Sequence, residues 1–124
     1  MFNRNILLLQ ILEQINDALI TVQKRFEPIV SVNDFTNTPE GKEKLDGICM
    51  QLIAIGESLK KVDKLTDKKL LKKFPHIDWS GAKGVRDIIA HHYFDVDAED
   101  IFEICDQHVQ PMQKTIIEII KHIS

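Results

Sequence analysis

Arg86, His91 and Tyr93 stand within eight positions of a chain that is otherwise plain helical sequence, spaced as arginine, four residues, histidine, one residue, tyrosine. Each type brings a different capability. The arginine guanidinium is a planar, permanently charged fork that matches phosphate oxygens. The histidine imidazole titrates near neutrality and can move a proton. The tyrosine offers a hydroxyl. Cleavage of RNA by its own 2′-hydroxyl needs the first two services: a base that removes the 2′-OH proton, and a cation that stabilises the charged pentacoordinate phosphorus. That scheme calls for no metal and no cofactor.

The spacing also sets a geometric problem. In a regular helix Arg86, Ala90 and Tyr93 share a face, whereas His91 lies about 140° round from Arg86. Three arrangements reconcile them: a helix deformed near His91, an arginine side chain that reaches round, or a second copy of the chain that completes the site. Asp87 and His91 are spaced i, i+4, so an aspartate could fix the imidazole tautomer and favour the protonated ring. His92 faces elsewhere and reads as structural. His91 and His92 with Asp95 and Asp97 match no tetrahedral zinc spacing, and the two acids read better as caps of the following helix. A glycine-rich phosphate loop and the paired Glu-x-x-His of a di-iron bundle are both missing from the sequence.

The elements that must hold these residues are helices. At 124 residues, 44% hydrophobic and 28% charged, the chain reads as one domain spanning 1–124 with a modest core. Leu8, Ile11, Leu12, Ile15, Leu19 and Val22 recur at three and four residues and predict a helix over about 5–27. A polar connector follows over 31–39. Thr38-Pro39-Glu40 has the residues of a helix start, and Leu45, Ile48, Cys49, Leu52, Ile53, Ile55 and Leu59 carry a second long helix to about 62. Gly56 inside it predicts the close approach of another backbone. A short basic helix is expected over 66–74, ended by Pro75. Asp78 can cap a fourth helix over about 79–93. The last begins near Ala98 and carries Pro111, which should kink it or split it in two. The expected fold is all-α, an up-and-down bundle of four to five helices.

Charge is uneven. Residues 60–86 hold nine Lys/Arg against three Asp, a local +6, whereas residues from Phe94 onward sum to −5. The overall −3 argues against bulk electrostatic binding of nucleic acid, but the basic middle lies beside the candidate site and could hold RNA phosphates. A solvated lysine-rich face would look the same. Cys49 and Cys105 sit in apolar helical surroundings and are expected as two buried thiols in a reducing cytoplasm. The apolar run Ile6–Leu12 is too short for a membrane span and reads as core.

Several ordered landmarks extend the pattern: Ile55-Gly56-Glu57, then Phe74-Pro75-His76-Ile77-Asp78-Trp79, then Gly84-Val85-Arg86-Asp87, then His91-His92-Tyr93-Phe94-Asp95-Val96-Asp97. In that order they resemble the HEPN superfamily, in its HepT-like toxin branch, over nearly the whole chain from about Asn5 to Ile120. Ser58 stands where the family usually has alanine and Val85 where it has Met or Leu, and neither touches the proposed chemistry. The resemblance implies an all-α homodimer with the motif at an interface cleft. It implies a metal-independent endoribonuclease with Arg86 and His91 as the catalytic pair, and a cytoplasmic toxin neutralised by an MNT-type nucleotidyltransferase antitoxin. Tyr93 is then the residue to which that antitoxin attaches AMP. Glu57 falls where the family tends to carry an acid, with a role in holding Arg86 or in a polar interface. Two other classes stay open: a non-catalytic helical partner of a nucleotidyltransferase, and a nucleotide-binding subunit in which Arg86 holds a nucleotide without cleaving it.

Overall fold

The computed structural model describes residues 4–91 and 96–124, with Ala90 and His91 described in backbone only. All regular structure among the described residues is helical. Helix α1 spans Arg4–Phe26, α2 Asn33–Thr36, α3 Pro39–Leu65, α4 Trp79–His91, α5 Ala98–Glu103 and α6 Val109–Ile123, giving an all-α bundle. α1 packs against α3 and α6, and α4 packs against α3. The buried stripe of α1 is the one its spacing predicts: Leu8, Ile11, Leu12, Ile15, Leu19 and Val22. Each side chain of that size contributes roughly 1.5–3 kcal/mol when removed from water, so this stripe, with its counterpart on α3, accounts for the docking of the two long helices.

Helix ends follow side-chain chemistry. The Thr38 hydroxyl accepts a hydrogen bond from the Gly41 N–H at 3.0 Å, with Pro39 in the first turn of α3. Asp97 caps α5 by accepting from the Glu99 N–H at 2.9 Å. The connector over 31–39 is more ordered than its polar composition predicts. The Asp34 carboxylate accepts from the Val30 and Ser31 N–H groups, and α2 buries Phe35 completely. Phe35 packs with Phe26 and Phe102, whose rings meet edge-on at 5.1 Å.

Two expectations change. The basic helix over 66–74 is instead a loop with one short 3-10 turn, Leu71–Lys73. Its cause is local: Asp67 and Lys68 both have positive φ, and the Lys68 N–H closes back on the Asp63 carbonyl at 2.8 Å. Two successive left-handed residues end α3 and block nucleation of another helix directly behind it. The predicted break near Pro111 is present, but it takes the form of a π-helical turn over Ile104–His108, joining α5 to α6. Proline lacks the N–H that would bond the carbonyl four residues back, and its ring crowds that carbonyl, so the helix widens just before it. No described helix is long and apolar enough to cross a membrane.

Cys49 and Cys105 are both buried and free. Burial pushes the Cys49 thiol up to about 11, with Asp46 adding to the effect. Burial likewise pushes Cys105 up to about 12, with Cys49 adding. Nucleophilic attack requires the thiolate, so at pH 8 both groups are almost wholly protonated and unreactive. A disulfide-exchange thiol reagent at pH 8 should leave both unmodified in the native protein and titrate two thiols after unfolding. Rapid labelling of either in the native state would contradict the burial.

Candidate functional site

α4 is held in place at its start and along one face. The Asp78 carboxylate accepts from the Gly81 N–H at 2.9 Å, and the buried Trp79 indole donates to the Phe74 carbonyl at 2.9 Å. Val85 and Ile89 are buried against the core. The backbone of α4 comes close to α3 at Gly56, as its place in the sequence predicts: a Cβ built there would lie 2.8 Å from the Ala82 carbonyl oxygen. A side chain at position 56 would therefore hold the two helices apart.

That contact sets the next residue on each helix. Glu57 follows Gly56, and Arg86 lies one turn beyond Ala82. The Arg86 Nη1 donates to Glu57 Oε1 at 3.1 Å. The same carboxylate oxygen is 3.5 Å from Lys60 Nζ, one turn along α3. Desolvation of the Glu57 carboxyl raises its pKa, but the hydrogen bond from Arg86, the charges of Lys60 and Arg86 and the hydrogen bond from Lys60 together outweigh this and hold it below the ordinary glutamate range. Glu57 is thus ionised at neutral pH. The Arg86 side chain remains 54% exposed, which leaves the fork of its guanidinium open to an incoming anion. A second ion pair, Lys83 with Asp63, ties the same helices in a drier setting, with the Asp63 side chain only 11% exposed.

Of the residues singled out from sequence, Arg86 and Glu57 come together. Asp87 is exposed on α4. His91 is the last residue of α4, and its side chain lies outside the described residues, as does the whole of Tyr93; the suggested pairing of Asp87 with His91 therefore falls there as well. α4 is α-helical from Trp79 through His91, so no deformation of the helix brings positions 86 and 91 round to one side. They differ by about 140° and about 7.5 Å along the axis. Arg86 is in addition drawn toward α3 by Glu57. Lys60 and the pair Asp63–Lys83 were missed by the sequence reading. Lys60 carried a signal, its i+3 spacing from Glu57, whereas Asp63 and Lys83 are 20 residues apart and meet only through the packing of α3 on α4.

Lys61, Lys64, Lys68, Lys69, Lys72 and Lys73 are exposed over the end of α3 and the loop behind it. On α4 the exposed apolar residue is Ile88, 52% accessible. It sits at the rim of a cavity of about 340 Å³ between α4 and the start of α6, among Val85, Ile104, His108 and Met112. Neither Glu57 nor Arg86 lines that cavity. Among the described residues no group of three or more His, Cys, Asp or Glu is placed to hold a metal ion.

The sequence model of the family described as Ribonuclease HepT-like matches residues 8–119. Among individual proteins, "Putative RNase MJ0127" of Methanocaldococcus jannaschii is 31% identical over 103 residues, covering 78% of this chain and 82% of that protein. "Putative RNase MJ1380" of the same organism is 27% identical over 109 residues, 88% of this chain and 89% of that one. "Putative RNase MJ1216" is 33% identical over 75 residues, 60% and 57% respectively. No solved structure gives a significant match.

Gly56→Ala tests the contact on which this geometry rests. The added methyl must displace the α4 backbone, so the variant should lose roughly 1–3 kcal/mol in urea unfolding at unchanged m-value. A stability equal to that of the unsubstituted protein would mean that the two helices do not meet at this point.

Proposed function

Because the chain belongs to the ribonuclease HepT-like family, we propose that it is a metal-independent endoribonuclease that acts as the toxin of a toxin–antitoxin pair. Arg86 binds the scissile phosphate and stabilises the charge that builds on it, and His91 transfers a proton. The observation that carries this reading is Arg86 itself: a guanidinium more than half exposed and oriented by Glu57, whose carboxylate also meets Lys60 at the start of the lysine-rich end of α3. Phosphodiester cleavage through the 2′-hydroxyl needs positioning and charge stabilisation above all, and a preorganised arginine supplies both. The exposed lysines favour the RNA backbone on either side of the cut without reading its sequence.

The active species is a homodimer. The unbroken helix through His91 keeps Arg86 and position 91 on different sides of α4 within one chain, and Ile88 projects an apolar side chain from the same helix about 60° round from position 91. A second copy packed along α4 covers Ile88 and brings its own position 91 toward Arg86. The partner that silences the toxin is an MNT-type nucleotidyltransferase, acting in the cytoplasm by attaching AMP to Tyr93. The added phosphate carries the charge that Arg86 binds and so competes with RNA for it.

The purified protein, with Tyr93 shown by mass to be unmodified, should cleave tRNA or mRNA in EDTA, and an Arg86→Ala/His91→Ala double variant should not. Absence of cleavage by both would sink the nuclease reading in favour of a non-catalytic partner of the nucleotidyltransferase. For the dimer, Ile88→Glu should shift the mass measured by light scattering from two chains to one and remove cleavage with it. A monomeric unsubstituted protein that cleaves RNA would refute the composite site.

A further inference from the structure

We propose that Glu57 is the general base of the cleavage, taking the proton from the attacking 2′-hydroxyl, and that His91 is left as the general acid; this rests on the ribonuclease reading above. The reaction demands two proton transfers at two places. In the in-line displacement, the 2′-oxygen enters on one side of the phosphorus as the 5′-oxygen leaves on the other. The groups that serve them must therefore flank the phosphate rather than coincide. Arginine cannot accept a proton at any physiological pH, and a tyrosine hydroxyl of ordinary pKa near 10 is a poor base at neutrality. His91 can serve one side only.

The structure offers a proton acceptor beside the phosphate-binding group. Glu57 Oε1 is 3.1 Å from Arg86 Nη1, so a phosphodiester on the open part of the guanidinium fork places its phosphorus, and the 2′-oxygen that attacks it, next to this carboxylate. Glu57 is 39% exposed at the side chain and so reachable by substrate. It is held ionised by Arg86 and Lys60, and an ionised carboxylate is an acceptor only. Lys60 can keep the carboxylate oriented when phosphate draws Arg86 away.

The neighbouring acids do not compete. Asp63 is 11% exposed and engaged by Lys83. Asp87 lies about 100° round α4 from Arg86, on the side of position 91. In the step itself the 2′-OH proton passes to Glu57, the 2′-O–P bond forms and the P–O5′ bond breaks. The departing O5′ takes its proton from the His91 imidazolium. The products are a 2′,3′-cyclic phosphate and a 5′-hydroxyl, and exchange with water restores both side chains.

A merely structural Glu57 would also matter, so the test separates base from brace. Cleavage of an oligoribonucleotide is followed against pH for the unsubstituted protein, Glu57→Gln, Glu57→Asp and His91→Ala, each checked for native helicity. A second substrate carries sulfur in place of the bridging 5′-oxygen at the cut, because a thiolate leaves without being protonated. Glu57→Gln should lose roughly 10²–10⁴-fold in rate together with the acid limb of its kcat/KM profile, and Glu57→Asp should recover part of both. The sulfur substrate should restore His91→Ala but leave Glu57→Gln slow. A Glu57→Gln protein that keeps the acid limb and changes only KM, or that is rescued by sulfur as His91→Ala is, would reduce Glu57 to a positioning residue and overturn the proposal. If the unsubstituted protein cuts neither substrate, the ribonuclease reading falls first and this assignment with it.

Discussion

The arrangement of α3 and α4 depends on one contact without a side chain. Gly56 lets the Ala82 carbonyl come against the α3 backbone, and Glu57 and Arg86 are one residue and one turn away from that point. Glu57 meets Arg86 because Gly56 meets Ala82. A glycine within a 27-residue helix costs about 1 kcal/mol of propensity. Its compensation is tertiary: two helices close enough for a short acidic side chain to hold a long basic one.

The pair so formed is not a stabilising device of much weight. It is exposed, and exposed ion pairs contribute little to folding. The Asp63–Lys83 pair, drier and on the same two helices, is better suited to fix their relation. This division of labour leaves Arg86 oriented yet free to exchange its partner for a phosphate, which a buried arginine could not do without a large desolvation cost. The lysines at the end of α3 and in the loop behind it are exposed, whereas α5 and the π turn behind it carry acids, so the overall negative charge is unevenly distributed along the chain.

Most helices were legible because their residues carry local signals. Periodic apolar positions located α1 and α3, and Thr38, Asp78 and Asp97 marked starts that the hydrogen bonds bear out. Errors arose where tertiary contacts or unusual dihedrals intervene. α2 exists because Phe35 has an aromatic pocket to fill, which its polar neighbours conceal. The segment behind α3 reads as a helix by composition, but two residues with positive φ turn it away. Pro111 announced a break, and only the packed chain decided that it would be a π turn placed before the proline.

By itself the sequence determined the helical class, the residue types able to bind a phosphate and move a proton, and the family to which the chain belongs. These are properties of periodicity, capping chemistry and ordered short motifs, all within reach of a few turns of chain. Tertiary structure decided which of those residues meet. Glu57 and Arg86 are 29 residues apart, and no spacing rule joins them; the backbone contact at Gly56 does. It also decided that Arg86 and position 91 remain on different sides of α4, because a regular helix keeps its 100° step unless a defect intervenes, and α4 carries none through His91.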